Sequence, residues 1–311
     1  MEKKDKIYIA GHRGLVGSSI LRYLKSNGYN NLVFKTSKQM DLRKQVLVDN
    51  FFKKERPDYV FLSAAKVGGI LANSNYPADF IYDNLSIQTN IINSSYKHGV
   101  KKLLFLGSSC IYPKFAKQPI KEEYLLTDTL EPTNEPYAIS KIAGIKMCQA
   151  YNRQFNTNFI SVMPTNLYGP YDNFNLQDSH VIPALIMKFC KAQKDNLPFV
   201  EIWGTGKARR EFLYIDDLAE CLVFLMDVYN SNEIINVGVG VDLTIKELVQ
   251  KIRKITEYKG EIKFDTSKPD GTPRKLLDVT KVLNLGWNPS ISLDEGLEKT
   301  IDWYRKNMED K

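Results

Sequence analysis

The sequence predicts an α/β fold, a doubly wound parallel sheet followed by a smaller C-terminal mixed α/β lobe. Two observations lead to this prediction. Short apolar runs alternate with amphipathic stretches through the first half of the chain, which is the rhythm of strands joined by crossover helices. A glycine-rich turn also follows the first apolar run directly, as in folds that bind nucleotides at the carboxyl ends of parallel strands.

We expect the strands of the first half to be parallel, because strands that alternate with helices are joined by right-handed crossovers. Apolar runs rich in Val, Ile, Leu and Phe mark the strands, and amphipathic stretches mark the helices. The predicted strands cover residues 6–10, 31–35, 59–64, 102–107 and 159–164. The predicted helices begin near residues 15, 42, 77 and 136, and the third of them reaches residue 98.

The regular alternation of predicted strands and helices ends after Gly169. We therefore predict a nucleotide-binding domain over 1–170, which some later segments rejoin, and a substrate-binding lobe mainly over 171–311. Within this lobe the pattern predicts an irregular segment over 172–179, a helix from Val181, a strand over 199–203, helices over 216–229 and 243–256, a loop over 267–273 and a helix over 293–306.

Composition argues against several classes of function. The chain has 311 residues, 43% of them hydrophobic, and a net charge of +7, but its lysines are scattered and form no basic stripe for nucleic acid. No run approaches the roughly 20 apolar residues of a membrane span, and the N-terminus lacks a secretory pattern. The four cysteines are widely separated, which indicates neither a disulfide framework nor a metal site. We expect a cytoplasmic protein that binds neither nucleic acid nor membrane.

The glycine-rich turn is a candidate dinucleotide site. Gly11, Gly14 and Gly17 give the spacing G-x-x-G-x-x-G between the first strand and the first helix. Such glycines allow a tight turn and a close approach of the backbone to pyrophosphate, which the helix N-terminus attracts. Three glycines in a turn are common, so the position after a strand and before a helix carries the argument. The other residues of this predicted contact are Arg13, Leu15 and Val16.

The end of the second predicted strand indicates which cofactor binds. An acidic residue there would hold the ribose 2′-hydroxyl of NAD, but the chain has Lys35 and Lys38 and no acid. Together with Arg13, these cations favour the 2′-phosphate of NADP(H), although surface lysines would give the same pattern. The predicted neighbours of the adenine and pyrophosphate are Asp41, Leu42, Ala64, Ala65 and Lys66.

Tyr137 and Lys141 stand four residues apart in a predicted helix, with Ser108 earlier in the chain. Residues at this spacing lie one turn apart on one helix face. A free phenol has a pKa of about 10, and we expect the nearby ammonium to lower it towards neutrality. Such a phenol suits proton transfer to a carbonyl that a hydride reduces. A chance pairing of an exposed tyrosine and lysine is the alternative.

With these residues assembled, seven ordered segments resemble the GDP-L-fucose synthases, which are extended short-chain dehydrogenases/reductases with a Rossmann fold. The resemblance covers nearly the entire chain, and seven blocks in order are far more specific than any one of them. These segments are 10–17, 107–114, 130–138, 163–170, 179–183, 210–212 and 268–275.

The resemblance implies an enzyme that epimerises GDP-4-keto-6-deoxy-D-mannose at C3 and C5 and reduces C4 with NADPH, for use in surface polysaccharide. At matching positions Tyr137 would protonate O4, Lys141 would hold the nicotinamide ribose, and Ser108 would hydrogen-bond the keto oxygen. The other implied roles are epimerisation base and acid for Cys110 and His180, substrate contacts for Asn166, Lys188, Trp203, Arg210 and Asp270, and cofactor contacts for Pro164, Asn166, Leu167 and His180.

The family commonly pairs two long helices across a twofold axis, so the resemblance also implies a homodimer through residues 81–95 and 139–151.

Simpler interpretations stay open for single residues. Cys110 alone would be read as a core residue, His180 as a structural donor at a helix start, and Asp270 as a turn former. Two other functions also stay open. One is C4 reduction of a GDP-4-keto-6-deoxy-heptose with little or no epimerisation, and the other is a nonenzymatic NADP(H)-binding sensor.

Overall fold

A computed structural model describes residues 1–175, 179–268 and 270–308. The strands are β1 (Ile7–Ala10), β2 (Leu32–Val33), β3 (Tyr59–Leu62), β4 (Lys102–Leu106), β5 (Phe159–Pro164), β6 (Asn166–Tyr168), β7 (Phe199–Trp203), β8 (Arg209–Arg210), β9 (Phe212–Tyr214), β10 (Ile235–Val237), β11 (Leu243–Thr244), β12 (Glu261–Asp265) and β13 (Arg274–Lys275). The helices are α1 (Leu15–Ser26), α2 (Gln45–Glu55), α3 (Ile70–Asn75), α4 (Pro77–Lys97), α5 (Glu135–Phe155), α6 (Val181–Lys194), α7 (Ile215–Val228), α8 (Ile245–Ile255), α9 (Thr280–Asn284) and α10 (Leu293–Asn307).

The centre of the molecule is a parallel sheet of six strands, in the order β10-β5-β4-β3-β1-β2. This confirms the predicted doubly wound α/β fold. The chain leaves β1 towards β2 on one side and returns to β3 on the other side. The carboxyl ends of β1 and β3 therefore flank the switch point at which such sheets bind ligands.

Two apolar cores hold the chain together. The first surrounds the six-stranded sheet and includes the apolar faces of α7, β10 and α9. The second core lies between α6, α8, α10 and the strands β7 and β9. The smaller sheets are β7 with β12, β6 with β9, and β8 between β11 and β13.

The elements that were not predicted are short. Strands of two or three residues, such as β6, β8 and β10, give no measurable periodicity, and tertiary pairing decides their structure. The predicted helix over 243–256 begins as β11, and α2 begins at Gln45 rather than at Leu42. Strand β12 and the helices α3 and α9 were also missed. Residues 176–178 of the predicted segment 172–179, residue 269 of the predicted loop, and residues 309–311 lie outside the described residues.

The glycine turn after β1 is tightly packed. Gly11 has a φ of +91°, which a side chain disfavours, and its backbone passes so close to β3 that an added Cβ would lie 2.7 Å from the Ala64 nitrogen. A Cβ on Gly17 would lie 2.2 Å from the Gly11 carbonyl oxygen. A Cβ on Gly14 would lie 3.6 Å from the Gly11 carbonyl oxygen, which is an ordinary van der Waals contact. Gly17 is therefore required by packing, whereas the fold leaves space at Gly14.

Gly17→Ala should destabilise the protein by about 1–3 kcal/mol, because α1 must move away from the turn to relieve the backbone contact. Gly14→Ala is the matched control and should cost less than about 1 kcal/mol, the usual effect of alanine at an N-cap. Urea denaturation of both variants measures the difference. Equal losses in the two variants would contradict this account of the turn.

Candidate active site

One cavity of about 1440 Å³ extends from the glycine turn across the carboxyl ends of the sheet to the second core. It is larger than the roughly 300–1,000 Å³ that holds a single drug-sized ligand. The structure brings every predicted site residue to its wall except Arg13, which does not line it. Among the described residues, no cluster of His, Cys, Asp and Glu could hold a metal ion. None of the described helices is long and apolar enough to span a bilayer.

The glycine turn leaves the N-terminus of α1 open towards the cavity. Gly14 is the N-cap, and no side chain caps the helix there. The Gly14 nitrogen donates to the Gly11 carbonyl at 3.0 Å, which closes the turn. The first backbone N–H groups of α1 therefore face the cavity with the positive end of the helix dipole, a suitable place for a pyrophosphate.

The predicted phosphate-binding lysines lie beyond the end of β2. Lys35 and Lys38 are exposed and line the cavity, and neither has an ion-pair partner among the residues that the structure describes. Arg43, which the sequence analysis did not single out, also lines the cavity. Its guanidinium binds Asp41 and Asp83, each at 3.0 Å. Asp41 is therefore engaged by a neighbour, whereas the two lysines are available to an anion.

The segment after β3 is held by helix α4. Buried Asn84 accepts from the Lys66 nitrogen at 2.9 Å and donates to the Lys66 carbonyl at 3.0 Å. The Lys66 ammonium binds Asp79 at 2.7 Å and Asp83 at 3.3 Å. The Ala64–Lys66 backbone therefore forms a fixed wall of the cavity, and the Lys66 charge is already paired.

Helix α5 carries Tyr137 and Lys141 on the face that lies over β4. Lys141 is 4% exposed, and its Nζ donates to the Leu106 carbonyl at 2.8 Å. This ammonium lies 5.8 Å from the centre of the Tyr137 ring. Burial lowers the pKa of Lys141 to about 8, so the side chain still carries its charge at neutral pH. The structure thus brings the predicted pair together.

The pKa of Tyr137 shifts in the opposite direction to our expectation. Burial raises the pKa of Tyr137, and the nearby Cys110 raises it further. Ser108 lowers this pKa, but by less than burial raises it. We predicted a lowered pKa for Tyr137, and this prediction is wrong. The net shift is upward because burial of the phenol is the largest influence on it. A raised pKa keeps the phenol protonated at neutral pH, which is the form that donates a proton.

Ser108 and Cys110 lie just past the end of β4, where the chain makes a short 3₁₀ turn. The Ser108 hydroxyl accepts from the Cys110 nitrogen at 3.2 Å and so caps this turn. The Cys110 Sγ accepts from Asn134 Nδ2 at 3.3 Å and from Lys275 Nζ at 3.4 Å. Burial raises the pKa of Cys110, but the Lys275 charge, the hydrogen bonds and Arg210 together bring it below its ordinary value.

His180 is the N-cap of α6, and its side chain is exposed to the cavity. The surrounding protein disfavours the charged imidazole, and Lys275 repels it, so the pKa of His180 lies below its ordinary value. Asp172, which sequence reasoning missed, also lines the cavity. Burial raises the pKa of Asp172 to about 7. Two groups in this wall thus change charge near or below neutrality.

Strands β8 and β13 present two cations to the cavity. They pair in parallel, Arg209 with Arg274 and Arg210 with Lys275. The first pair points to one face, where buried Asp242 binds Arg209 at 2.8 Å and Arg274 at 2.5 Å. The second pair alternates to the other face and lines the cavity. Arg210 and Lys275 are therefore the cations of this sheet that can meet an anionic ligand.

The predicted substrate contacts at the far end surround Trp203. The indole is 47% exposed, with Lys188 Nζ 5.6 Å and Lys268 Nζ 5.8 Å from its ring. The Lys188 ammonium also donates to the Glu201 carbonyl at 2.9 Å. Asp270 accepts from the Thr205 nitrogen and hydroxyl, each at 2.7 Å. Its carboxylate therefore joins two loops beside Trp203.

Buried Glu211 connects the segments that follow β10 and β13 to Asn166 at the cavity. Its carboxylate accepts from the nitrogens of Val239, Gly240 and Leu277 at 2.7–3.0 Å. Its carbonyl accepts from the Asn166 side chain at 2.8 Å. Asn166, Pro164 and Leu167 line the cavity where β5 and β6 meet. Sequence reasoning missed Glu211 because a glutamate between Arg210 and Phe212 gives no local sign of burial.

Comparison with known proteins identifies the family. The sequence matches the NAD dependent epimerase/dehydratase family over residues 7–238. It is 57% identical to GDP-L-fucose synthase 1 of Arabidopsis thaliana, over 99% of this chain and 95% of that protein. The chain belongs to the GDP-L-fucose synthase family. This confirms the resemblance inferred from the seven segments.

Two solved structures share the fold over nearly their whole length. A GDP-6-OMe-4-keto-L-xylo-heptose reductase from C. jejuni is 40% identical, with a TM-score of 0.93 over 98% of this chain and 99% of that one. A GDP-L-fucose synthetase from Naegleria fowleri bound to NADP is 32% identical, with a TM-score of 0.92 over 99% and 96% of the chains. The similarity includes the residues that form both apolar cores.

Proposed function

We propose that the protein is an NADPH-dependent oxidoreductase that epimerises a GDP-4-keto-6-deoxy sugar at C3 and C5 and reduces its C4 ketone, giving GDP-L-fucose or a close relative. One observation carries this proposal. Ser108, Cys110, Tyr137 and Lys141 line the same cavity as the glycine turn. A proton donor, a thiol and a dinucleotide-type turn on one wall fit a reaction that combines hydride transfer with proton exchange.

The residues present fit NADPH. The open N-terminus of α1 and the space beside Gly14 suit the pyrophosphate, and Lys35 and Lys38 suit a 2′-phosphate. The relative from Naegleria fowleri was solved with NADP, in agreement with this assignment. When bound, the cofactor supplies the hydride for C4. Lys141 stands beside Tyr137 to hold the nicotinamide ribose.

Ser108 and Tyr137 are the side chains best placed to donate hydrogen bonds to the ketone oxygen. Both side chains line the cavity, and Ser108 is close enough to influence the pKa of Tyr137, so one oxygen placed between the two hydroxyls can accept from both. The Tyr137 phenol then gives its proton to the alkoxide that forms at C4. The nearby Lys141 ammonium favours the negative charge that remains on the phenolate.

The same oxygen position serves epimerisation. A 4-keto group acidifies the protons at C3 and C5, so a base can remove one of them and leave an enolate on the oxygen held by Ser108 and Tyr137. Inversion needs a base and an acid on opposite faces of the ring. Cys110 and His180 line the cavity, and the lowered pKa of Cys110 favours the thiolate that would act as the base. His180 would return a proton to the ring carbon as the acid.

The substrate's GDP portion belongs at the far end of the cavity. Arg210 offers a planar fork to the diphosphate, and the exposed Trp203 ring offers a stacking surface to guanine. Lys188 adds positive charge beside that ring. Asp270 is bound by Thr205, so we assign it the placement of the loop beside the substrate.

A second candidate is C4 reduction of a GDP-4-keto-6-deoxy-heptose with little epimerisation. The solved C. jejuni heptose reductase supports it, since its fold and identity are close to those of this chain. The higher identity to a GDP-L-fucose synthase, and the presence of both Cys110 and His180 in the cavity, favour the first candidate.

We also propose a cytoplasmic homodimer whose product supplies polysaccharide synthesis. All four cysteines are free, and the proposed base is one of them, which suits a reducing compartment. Helices α4 and α5 pack side by side and expose Tyr82, Ile139 and Phe155 on their outer surface. A twofold pairing would cover this surface.

Replacing both lysines in Lys35→Ala/Lys38→Ala should lower the preference for NADPH over NADH about tenfold or more, because each lost phosphate contact is charge-assisted. The ratio of kcat/KM for the two cofactors measures this preference. Lys53→Ala/Lys54→Ala, on the exposed end of α2, is the control and should leave the ratio unchanged. An unchanged ratio in the first variant would place the 2′-phosphate elsewhere.

Tyr137→Phe should lower kcat for ketone reduction about 10²–10⁴-fold, the usual contribution of a general acid, while NADPH binding is retained. NADPH oxidation measures turnover, and fluorescence titration measures binding. Tyr171→Phe, at an exposed position outside the cavity, should behave as the unmodified protein. Turnover of Tyr137→Phe within about threefold of the unmodified protein would remove Tyr137 as the proton donor.

Reaction in deuterated water separates the two candidate functions. We expect solvent deuterium at both C3 and C5 of the product, located by mass spectrometry and NMR, because both protons exchange before reduction. Cys110→Ser should lose this label yet still reduce a ketone that is already inverted. A reduced product without label at either carbon would favour the heptose-type reductase.

A further inference from the structure

The Cys110 thiol has a cationic partner that the sequence analysis did not recognise. Lys275 Nζ lies 3.4 Å from the Sγ, and Asn134 Nδ2 donates to the same sulfur at 3.3 Å. Cys110 is partly exposed, whereas Cys148, Cys190 and Cys221 are buried. This cysteine therefore combines access to the cavity with two donors on its sulfur, one of them charged.

Among the described residues, the other charged groups around the sulfur are either cationic or paired. Arg210, from β8, lines the same cavity and favours the charged form of the thiol, as Lys275 does. Behind the thiol, a cavity of about 30 Å³ is lined by Lys114, Glu131 and Arg274 among others. Lys114 and Glu131 pair with each other at 3.0 Å, and Arg274 pairs with Asp242.

Tyr137 is another titratable neighbour of the thiol. Its raised pKa keeps the phenol neutral, so it adds no negative charge next to the sulfur. The balance of charge around the thiol is therefore positive.

The backbone fixes Lys275 in this position. Strand β13 pairs with β8, and the two nitrogens that follow Lys275 are held by side chains. The Leu276 nitrogen donates to Gln118 Oε1 at 2.8 Å, and the Leu277 nitrogen donates to Glu211 Oε2 at 3.0 Å. The ammonium is thus placed beside the sulfur before any ligand binds.

We propose that Lys275 is a positioning residue that stabilises the thiolate form of Cys110 through the contact of its ammonium with the sulfur. This inference rests on the proposed function only in taking Cys110 as the base of the epimerisation. A thiolate is the form of cysteine that removes a proton, and burial alone would keep the group as a neutral thiol. Lys275 supplies the charge that reverses this effect.

Lys275 also affects His180. Burial is the main cause that lowers the pKa of His180, and repulsion from Lys275 adds to it. The same cation thus favours the thiolate at Cys110 and the neutral imidazole at His180.

The rate of Cys110 alkylation by iodoacetamide, measured against pH on the full-length protein, tests this proposal without any substrate. Peptide mapping by mass spectrometry restricts the readout to Cys110. In the unmodified protein we expect fast alkylation at pH 7, below the ordinary thiol pKa of about 8.5. In Lys275→Met the midpoint of the profile should rise, and the rate at pH 7 should fall about tenfold or more.

Two further variants complete the test. Lys275→Arg keeps the charge and should stay within about threefold of the unmodified protein. Lys207→Met removes an exposed cation that precedes β8 and lies outside the cavity, and it should leave the profile unchanged. An unchanged profile in Lys275→Met, an equal loss in Lys275→Arg, or an equal shift in Lys207→Met would overturn the proposal. A shifted profile in a protein that turns over no GDP-sugar would instead contradict the proposed function and leave the role of Lys275 intact.

Discussion

The hydrogen bond from the Lys141 ammonium to the Leu106 carbonyl ties helix α5 to the end of strand β4. Tyr137 lies one turn earlier on that helix, and Ser108 and Cys110 follow that strand directly. This contact therefore helps to hold the phenol close to the hydroxyl and the thiol. Buried lysines are costly unless they are hydrogen-bonded, so a buried ammonium at this point is consistent with a functional requirement.

A second set of buried contacts supports the small sheet of β11, β8 and β13. Asp242 holds Arg209 and Arg274 on one face of a small sheet, which leaves Arg210 and Lys275 on the face that lines the cavity. Glu211 ties the neighbouring loops to that sheet through backbone N–H groups. The positive groups that would meet a diphosphate, and the one that contacts Cys110, thus share one rigid support. In the proposed function, proton exchange and substrate binding would depend on the same small sheet.

Much of this arrangement could be predicted from the sequence. The alternation of apolar and amphipathic runs gave the parallel sheet, because that periodicity is local. The glycine turn, Ser108, Tyr137 and Lys141 were found by spacing, and Cys110 and His180 by resemblance. Lys275, Asn134 and Glu211 were missed because their neighbours are distant in the chain. The direction of the Tyr137 pKa shift was wrong, since burial in the folded protein cannot be read from a spacing of four residues.

A crystal structure of the protein with NADP⁺ and the GDP-4-keto-6-deoxy sugar tests the central claim most directly, since the oxidised cofactor prevents turnover. We predict the ketone oxygen within about 3 Å of both the Ser108 and Tyr137 hydroxyls, with the Cys110 sulfur facing C3 or C5 of the ring. A sugar bound with its ketone directed away from these hydroxyls, or with Cys110 turned from the ring, would contradict the account.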